Sequence, residues 1–258
     1  MPPGAHITGA PSTIGFVPDA IFEEQRLAEI YDPLDPDRSD LDAYVALIEG
    51  FGARSVRDIG CGTGTFACLL AARGIGVIGV DPAGASLDVA RSKPTADRVR
   101  WIHGDATMLP PLQVDAATMT ANVAQVFLTD QEWASALRCV GAALRRGGRF
   151  VFETRDPAQE AWRTWDREHS FARAEIPHAG TIETWVEVTD VTGELVSFRH
   201  TFVFETDGAV LTSDSTLRFR DRREVASSLL AAGFTVEEVR DAPDRPGREL
   251  VFVARRAG

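Results

Sequence analysis

With 258 residues, 44% of them hydrophobic and 25% charged, the chain can bury one substantial core, and length alone does not require a second domain. Its formal net charge of -11 argues against nucleic acid or an anionic membrane as main partner, because phosphate recognition needs basic surface. Cys61, Cys68 and Cys139 make an odd count without CxxC spacing, which suits a reducing compartment better than a disulfide framework.

At the N-terminus no basic region precedes an apolar core, and Arg73 interrupts the longest apolar stretch. The expectation is a cytoplasmic protein without a signal peptide or membrane span. Residues 1–18 are rich in Gly and Pro and read as a flexible arm. A helix is predicted over residues 19–31, capped by Asp19, and residues 32–38 read as a turn-rich loop. A second helix follows Ser39 or Asp40, with Leu41, Tyr44, Val45 and Ile48 on one face.

Strands and helices then alternate. Val56-Arg57-Asp58-Ile59 is a buried strand leading through Gly60, Gly62 and Gly64 into a helix. The strand at 75–81 ends in Asp81, a helix covers 86–92, and the strand at 99–103 precedes Gly104-Asp105. The strand at 114–120 leads to a helix with capping-box spacing at Thr129 and Glu132, closed by Gly147-Gly148. Residues 149–154 form a fifth strand. Such repeats imply a parallel sheet covered by helices on both faces.

Between residues 156 and 220 the alternation stops. Trp162 and Trp165 open this segment in a helical piece. Three strands follow as an antiparallel meander, with turns near Gly193 and Gly208. Val196, Phe198, His200, Phe202 and Phe204 share one face of its middle strand. A helix from Asp221, with Glu224 three residues on, and a terminal hairpin complete the chain.

Asp58, Asp81 and Asp105 end three successive strands, so they point into one crevice beside the glycine turn. Free N–H groups at the following helix start favour an anionic group. Asp81 stands at the distance expected for gripping a ribose diol, which fits an adenine dinucleotide or S-adenosylmethionine. The dinucleotide fingerprint asks for a third glycine where Thr65 stands, and it does not ask for the acid at Asp58.

These residues resemble the class I S-adenosylmethionine-dependent methyltransferase family, of the small-molecule type. Asp58 to Gly64 look like its first motif, Gly79-Val80-Asp81 its ribose-binding acid, and Gly104-Asp105-Ala106 its adenine-contacting segment. Residues 115–127 and 144–150 are similar to its fourth- and fifth-strand motifs. The resemblance covers 41–153 and resumes at 221–254. It implies an α/β, Rossmann-like seven-stranded sheet, mostly parallel with a C-terminal hairpin, into which the antiparallel β meander read from the residues is inserted after strand 5. The implied units are an arm and lid helix over 1–40, a cofactor-binding core over 41–155, an acceptor or lid subdomain over 156–220, and a core-completing tail over 221–258.

The resemblance further implies S-adenosyl-L-methionine as cofactor, released as S-adenosyl-L-homocysteine. Gly60, Cys61, Gly62 and Gly64 would take the methionine part, with Asp58 anchoring its ammonium. Asp81, followed by Pro82, would take the ribose, while Gly104, Asp105 and Ala106 would meet the adenine. Thr120 and Asn122 would lie beneath the sulfonium, and Tyr31 or Arg38 would close over the methionine end. The implied reaction is in-line methyl transfer to an O, N or C nucleophile of a small molecule. A nicotinamide oxidoreductase and a non-catalytic cofactor-binding regulator stand as alternatives.

Acceptor residues are less defined by pattern. His200, which interrupts an apolar strand face, is a general-base or acceptor candidate, or a histidine satisfied in a sheet core or dimer interface. His103 is the other base candidate, or a local hydrogen-bonding residue. Gln125 and Arg155 stand at the cleft ends of their strands, and Trp162 either floors an acceptor pocket or packs in a core. No set of metal-ligand spacing is present. The inserted segment is expected to form a lid or wall over the cleft, with sharing across a homodimer left open.

Overall fold

The computed structural model describes residues 17–106, 112–242 and 244–257. The Gly- and Pro-rich arm therefore lies outside the described residues as far as position 16, as does Pro243 of the last turn.

Near the N-terminus, α1 (Ala20–Glu23) and α2 (Gln25–Leu34) replace the single helix expected there. The break has a local cause. Asp19 does not cap, because its carboxylate accepts from the Ser215 hydroxyl at 2.6 Å. Glu24 leaves helical geometry instead and accepts from the Leu27 N–H, starting a new helix. That helix also runs through Pro33, which falls in its last turn, where Leu34 packs against a buried cluster.

α3 (Asp42–Gly50) buries Tyr44, Val45 and Ile48 as its periodicity predicts. The parallel strands β1 (Ser55–Ile59), β2 (Gly76–Asp81), β3 (Val99–His103), β4 (Val114–Met119) and β5 (Leu144–Arg155) follow. They alternate with α4 (Thr65–Ala72), α5 (Gly84–Ser92) and α6 (Asp130–Ala143). Both sequence-read capping boxes form, at Thr129–Glu132 on α6 and Asp221–Glu224 on α8 (Arg222–Ala231). Gly147-Gly148 does not close α6, which ends at Ala143. The glycines belong to an irregular entry into β5, where the pairing with β4 jumps from Val114↔Leu144 to Ala116↔Arg149.

Between β5 and α8 lie the short α7 (Arg167–Ser170) and an antiparallel sheet of β6 (Ala172–Ile176), β7 (Gly180–Thr192), β8 (Leu195–Phe204) and β9 (Val210–Arg218). The meander thus has four strands rather than three. β6 carries only Ala172, Ala174 and Ile176 on its apolar side, too weak a pattern to read alone. Trp162 and Trp165 lie at 3₁₀ turns.

The hairpin β10 (Phe234–Asp241) and β11 (Glu249–Arg256) completes a seven-stranded sheet in the order β10-β11-β5-β4-β1-β2-β3. β11 runs antiparallel to both its neighbours, β10 and β5, pairing Phe252 with Phe152 of β5. The order reverses between β1 and β4, and such a switch opens a crevice beyond the strand C-termini.

Helices cover both faces. One core joins Val56, Phe66, Leu70 and Val77 to Tyr44 and Ile48, and the other joins Phe150, Phe152 and Phe252 to Trp133 and Leu137. A third cluster sets Leu27 and Ile30 of α2 against Ile182, Phe202 and Phe204, which seats the meander over the same helix. Among the described residues, no helix is long and apolar enough to cross a membrane.

Candidate active site

The turn between β1 and α4 is fixed by close packing. A Cβ on Gly60 would stand 2.6 Å from Val123, and one on Gly64 would meet Trp101 at 2.5 Å and Ala90 at 2.7 Å. Gly62 differs, since nothing lies within 4 Å of its Cβ position. Its φ of +52° selects glycine, and its outer side is open to a ligand.

Asp58 stands beside this turn at 1% exposure. Its Oδ1 accepts from the Thr118 hydroxyl at 2.9 Å, while Oδ2 has no partner among the described residues. Burial pushes its carboxyl up to about 7, with the Thr118 bond opposing and Asp81 adding. A buried acceptor of this kind is costly unless a donor or cation arrives. At the end of β2, Asp81 accepts from Gly62 N–H at 2.7 Å and Ala83 N–H at 2.8 Å. Burial raises its carboxyl too, and both oxygens retain acceptor capacity for a diol.

Across β2, His103 is exposed and its Nε2 lies 2.9 Å from the Pro82 carbonyl. Gly104 and Ala106 are buried and Asp105 is half-buried, at the same strand end. Cys61 is buried in the turn. Beyond β4, Thr120 is buried, and Ala121 (φ +54°) and Asn122 (φ +62°) take consecutive left-handed conformations. Such backbone strain at a strand end accompanies ligand sites.

Next to this turn lies a cavity of about 260 Å³. Tyr31 and Arg38 line it from the N-terminal elements, Asn122 and Glu153 from the strand ends, and His200 from β8. Arg155 and Glu249 complete its charged wall. His200 is stacked on Phe202 at 4.4 Å, and burial lowers its imidazole to about 4, so it is neutral at pH 7. Gln125 is not on this wall. It is 1% exposed and orients Arg155, whose guanidinium donates to its Oε1 at 3.0 Å. Trp162 packs edge-on against Phe219 at 4.6 Å rather than lining the cavity. His103, on the far side of β2, does not line it either.

The sequence reading missed Glu153 and Glu249, both buried on the cavity wall. Glu153 carried a signal, an acid near the end of an apolar strand like Asp58, whereas Glu249 stands at the very start of β11. The same reading also missed Asp32, which accepts from the Thr63 hydroxyl at 2.7 Å and pairs with Lys93 at 2.5 Å, fastening α2 to the glycine turn.

The strand order and the open glycine turn define a Rossmann-like α/β protein with a crevice at the strand C-termini, flanked by buried acids. Residues 56–148 match the family model described as a methyltransferase domain. The cypemycin N-terminal methyltransferase of Streptomyces sp is 32% identical over 118 residues, covering 45% of this chain and 48% of that protein. The chain spans about half the length of the curated relatives it matches. The sugar N-methyltransferase KedS8 from Streptoalloteichus sp has the same fold, with a TM-score of 0.76 at 19% identity over 99% of this chain and 100% of that one. The CcbJ methyltransferase from Streptomyces caelestis superposes with a TM-score of 0.73 at 23% identity, over 90% and 96% of the two chains. The likeness to methyltransferase domains is carried by residues 56–148.

Proposed function

We propose that the protein moves a methyl group from S-adenosylmethionine to a small molecule seated in the cavity lined by His200 and Glu153. The observation that carries this reading is the unpartnered Oδ2 of Asp58 beside the open face of Gly62. A buried carboxylate oxygen next to bare main chain fits an α-amino acid group, whose ammonium would meet Asp58 and whose carboxylate would meet N–H groups of the first turn of α4. Asp81 is held for the ribose by its two main-chain bonds. When bound, the cofactor supplies a methyl group on a positively charged sulfur, an already activated leaving group.

The residues of the chain then have to bind, align and exclude water. Alignment of two reactants supplies roughly 7–11 kcal/mol, whereas a general base adds about 3–5 kcal/mol. Orientation is therefore the larger contribution, and the inserted segment 156–220 serves it as a wall that brings His200 and Phe202 onto the cavity. Similarity to a sugar N-methyltransferase and an N-terminal methyltransferase supports small or peptidic acceptors.

Calorimetry tests the reading. S-adenosylhomocysteine is expected to bind and NADH to be ignored. Asp81→Ala is expected to weaken that binding by about 1–3 kcal/mol through lost charged hydrogen bonds. Binding of NADH alone would reassign the crevice to a dinucleotide.

A further inference from the structure

We propose that the Glu153 carboxylate receives the ammonium of the methyl acceptor and takes one proton from it, which makes the acceptor a small primary or secondary amine. The inference rests on the methyl-transfer reading and names the acceptor class of that same site.

The argument starts from how the carboxylates on this wall are matched. Glu249 accepts from Arg245 at 2.9 Å and from Asn122 at 3.2 Å, with Arg155 at 3.7 Å. Asp244 pairs with Arg245 at 3.3 Å and Asp40 with Arg38 at 3.1 Å. Asp35 is exposed and solvated. Glu153 is 7% exposed, lines the cavity, and has only neutral donors: the Tyr44 hydroxyl from α3 and the Ala121 N–H beyond β4. Among the described residues no cation pairs with it. Arg155 and Arg245 feel its charge, but both are held on Glu249. A buried carboxylate facing a cavity without a counter-ion is completed by a cation from outside. Ile21, Leu27 and Phe202 on the same cavity would cover the carbon frame carrying that cation.

A protonated amine cannot accept a methyl group, because its lone pair is occupied. Transfer to Glu153 breaks one N–H bond, leaves the electron pair on nitrogen, and forms one O–H bond on the carboxylate. Burial pushes Glu153 up to about 7, opposed by the Tyr44 bond and reinforced by Glu249, while burial lowers His200 to about 4. Glu153 is thus the stronger base of the two. A hydroxyl acceptor carries no cation for this carboxylate to neutralise.

The test uses the full chain with and without saturating S-adenosylhomocysteine, titrated with matched probes: cyclohexylamine against cyclohexanol, and glucosamine against glucose, followed by ligand-observed NMR. At least one amine is expected to bind more tightly than its hydroxyl counterpart. E153Q is expected to keep its S-adenosylhomocysteine affinity and lose that preference by roughly ten- to a hundredfold. Y44F, which removes the bond that favours the carboxylate, should keep the preference and move the pH midpoint of amine binding upward. No amine preference in the parent protein, or a preference that survives in E153Q, overturns the inference. Failure of the parent to bind S-adenosylhomocysteine strikes the methyl-transfer reading instead, since the amine titration is read separately without it.

Discussion

Asp58 and Glu153 are buried acids lifted to about 7 from ordinary values of 3.8 and 4.5. A carboxyl raised in the folded state stabilises fully below its unfolded value, and that contribution is lost as pH rises through the folded one. The ligand-free protein should therefore lose stability between about pH 4 and pH 7, on the order of 4 kcal/mol for Asp58 alone. Thermal unfolding across this range checks it. Asp58→Asn should flatten part of the fall, and an unchanged profile in that variant would show that Asp58 is not raised. Gly64 offers a steric test at the same scale. Gly64→Ala puts a methyl 2.5 Å from Trp101 on backbone at φ +77°, and a loss of about 1–3 kcal/mol in urea unfolding is expected. Full stability in that variant would mean that the turn relaxes more than its packing suggests.

What was legible in the sequence divides at the level of elements. Both capping boxes, the glycine turn and the acids at strand ends are local signals, and each formed where its spacing placed it. Signals that depend on distant partners were not legible. The Tyr44–Glu153 bond spans 109 positions and the Arg155–Gln125 bond 30, so no window of sequence shows either. β6 went unread because its pairing to β7 makes it a strand, and the helix break at Glu24 went unread because Ser215 draws Asp19 away. α2 is the element whose role this changes most. Its inner side packs on the meander through Leu27 and Ile30, and Asp32 ties its end to Thr63 and Lys93. Asp32→Asn should leave global stability within about 1 kcal/mol, as expected for a partly solvated ion pair, yet quicken amide exchange in α2. Unaltered exchange there would show that the apolar packing alone fastens the helix.

At the scale of the molecule, the seven-stranded sheet supplies the crevice and the four-stranded sheet supplies the opposite wall, with α2 between them. One helix therefore borders two compartments: Asp32 touches the turn that would carry the donor, while Tyr31 and Leu34 line the cavity proposed for the acceptor. Whatever steadies that helix from one compartment also finishes the other, and thermodynamic reciprocity requires each ligand to tighten its companion by the same factor. The kinetic corollary is synergy without a compulsory order, since the same factor sharpens either ligand once the other is in place. Titrating the amine with and without S-adenosylhomocysteine, and S-adenosylhomocysteine with and without the amine, would display it as two equal factors.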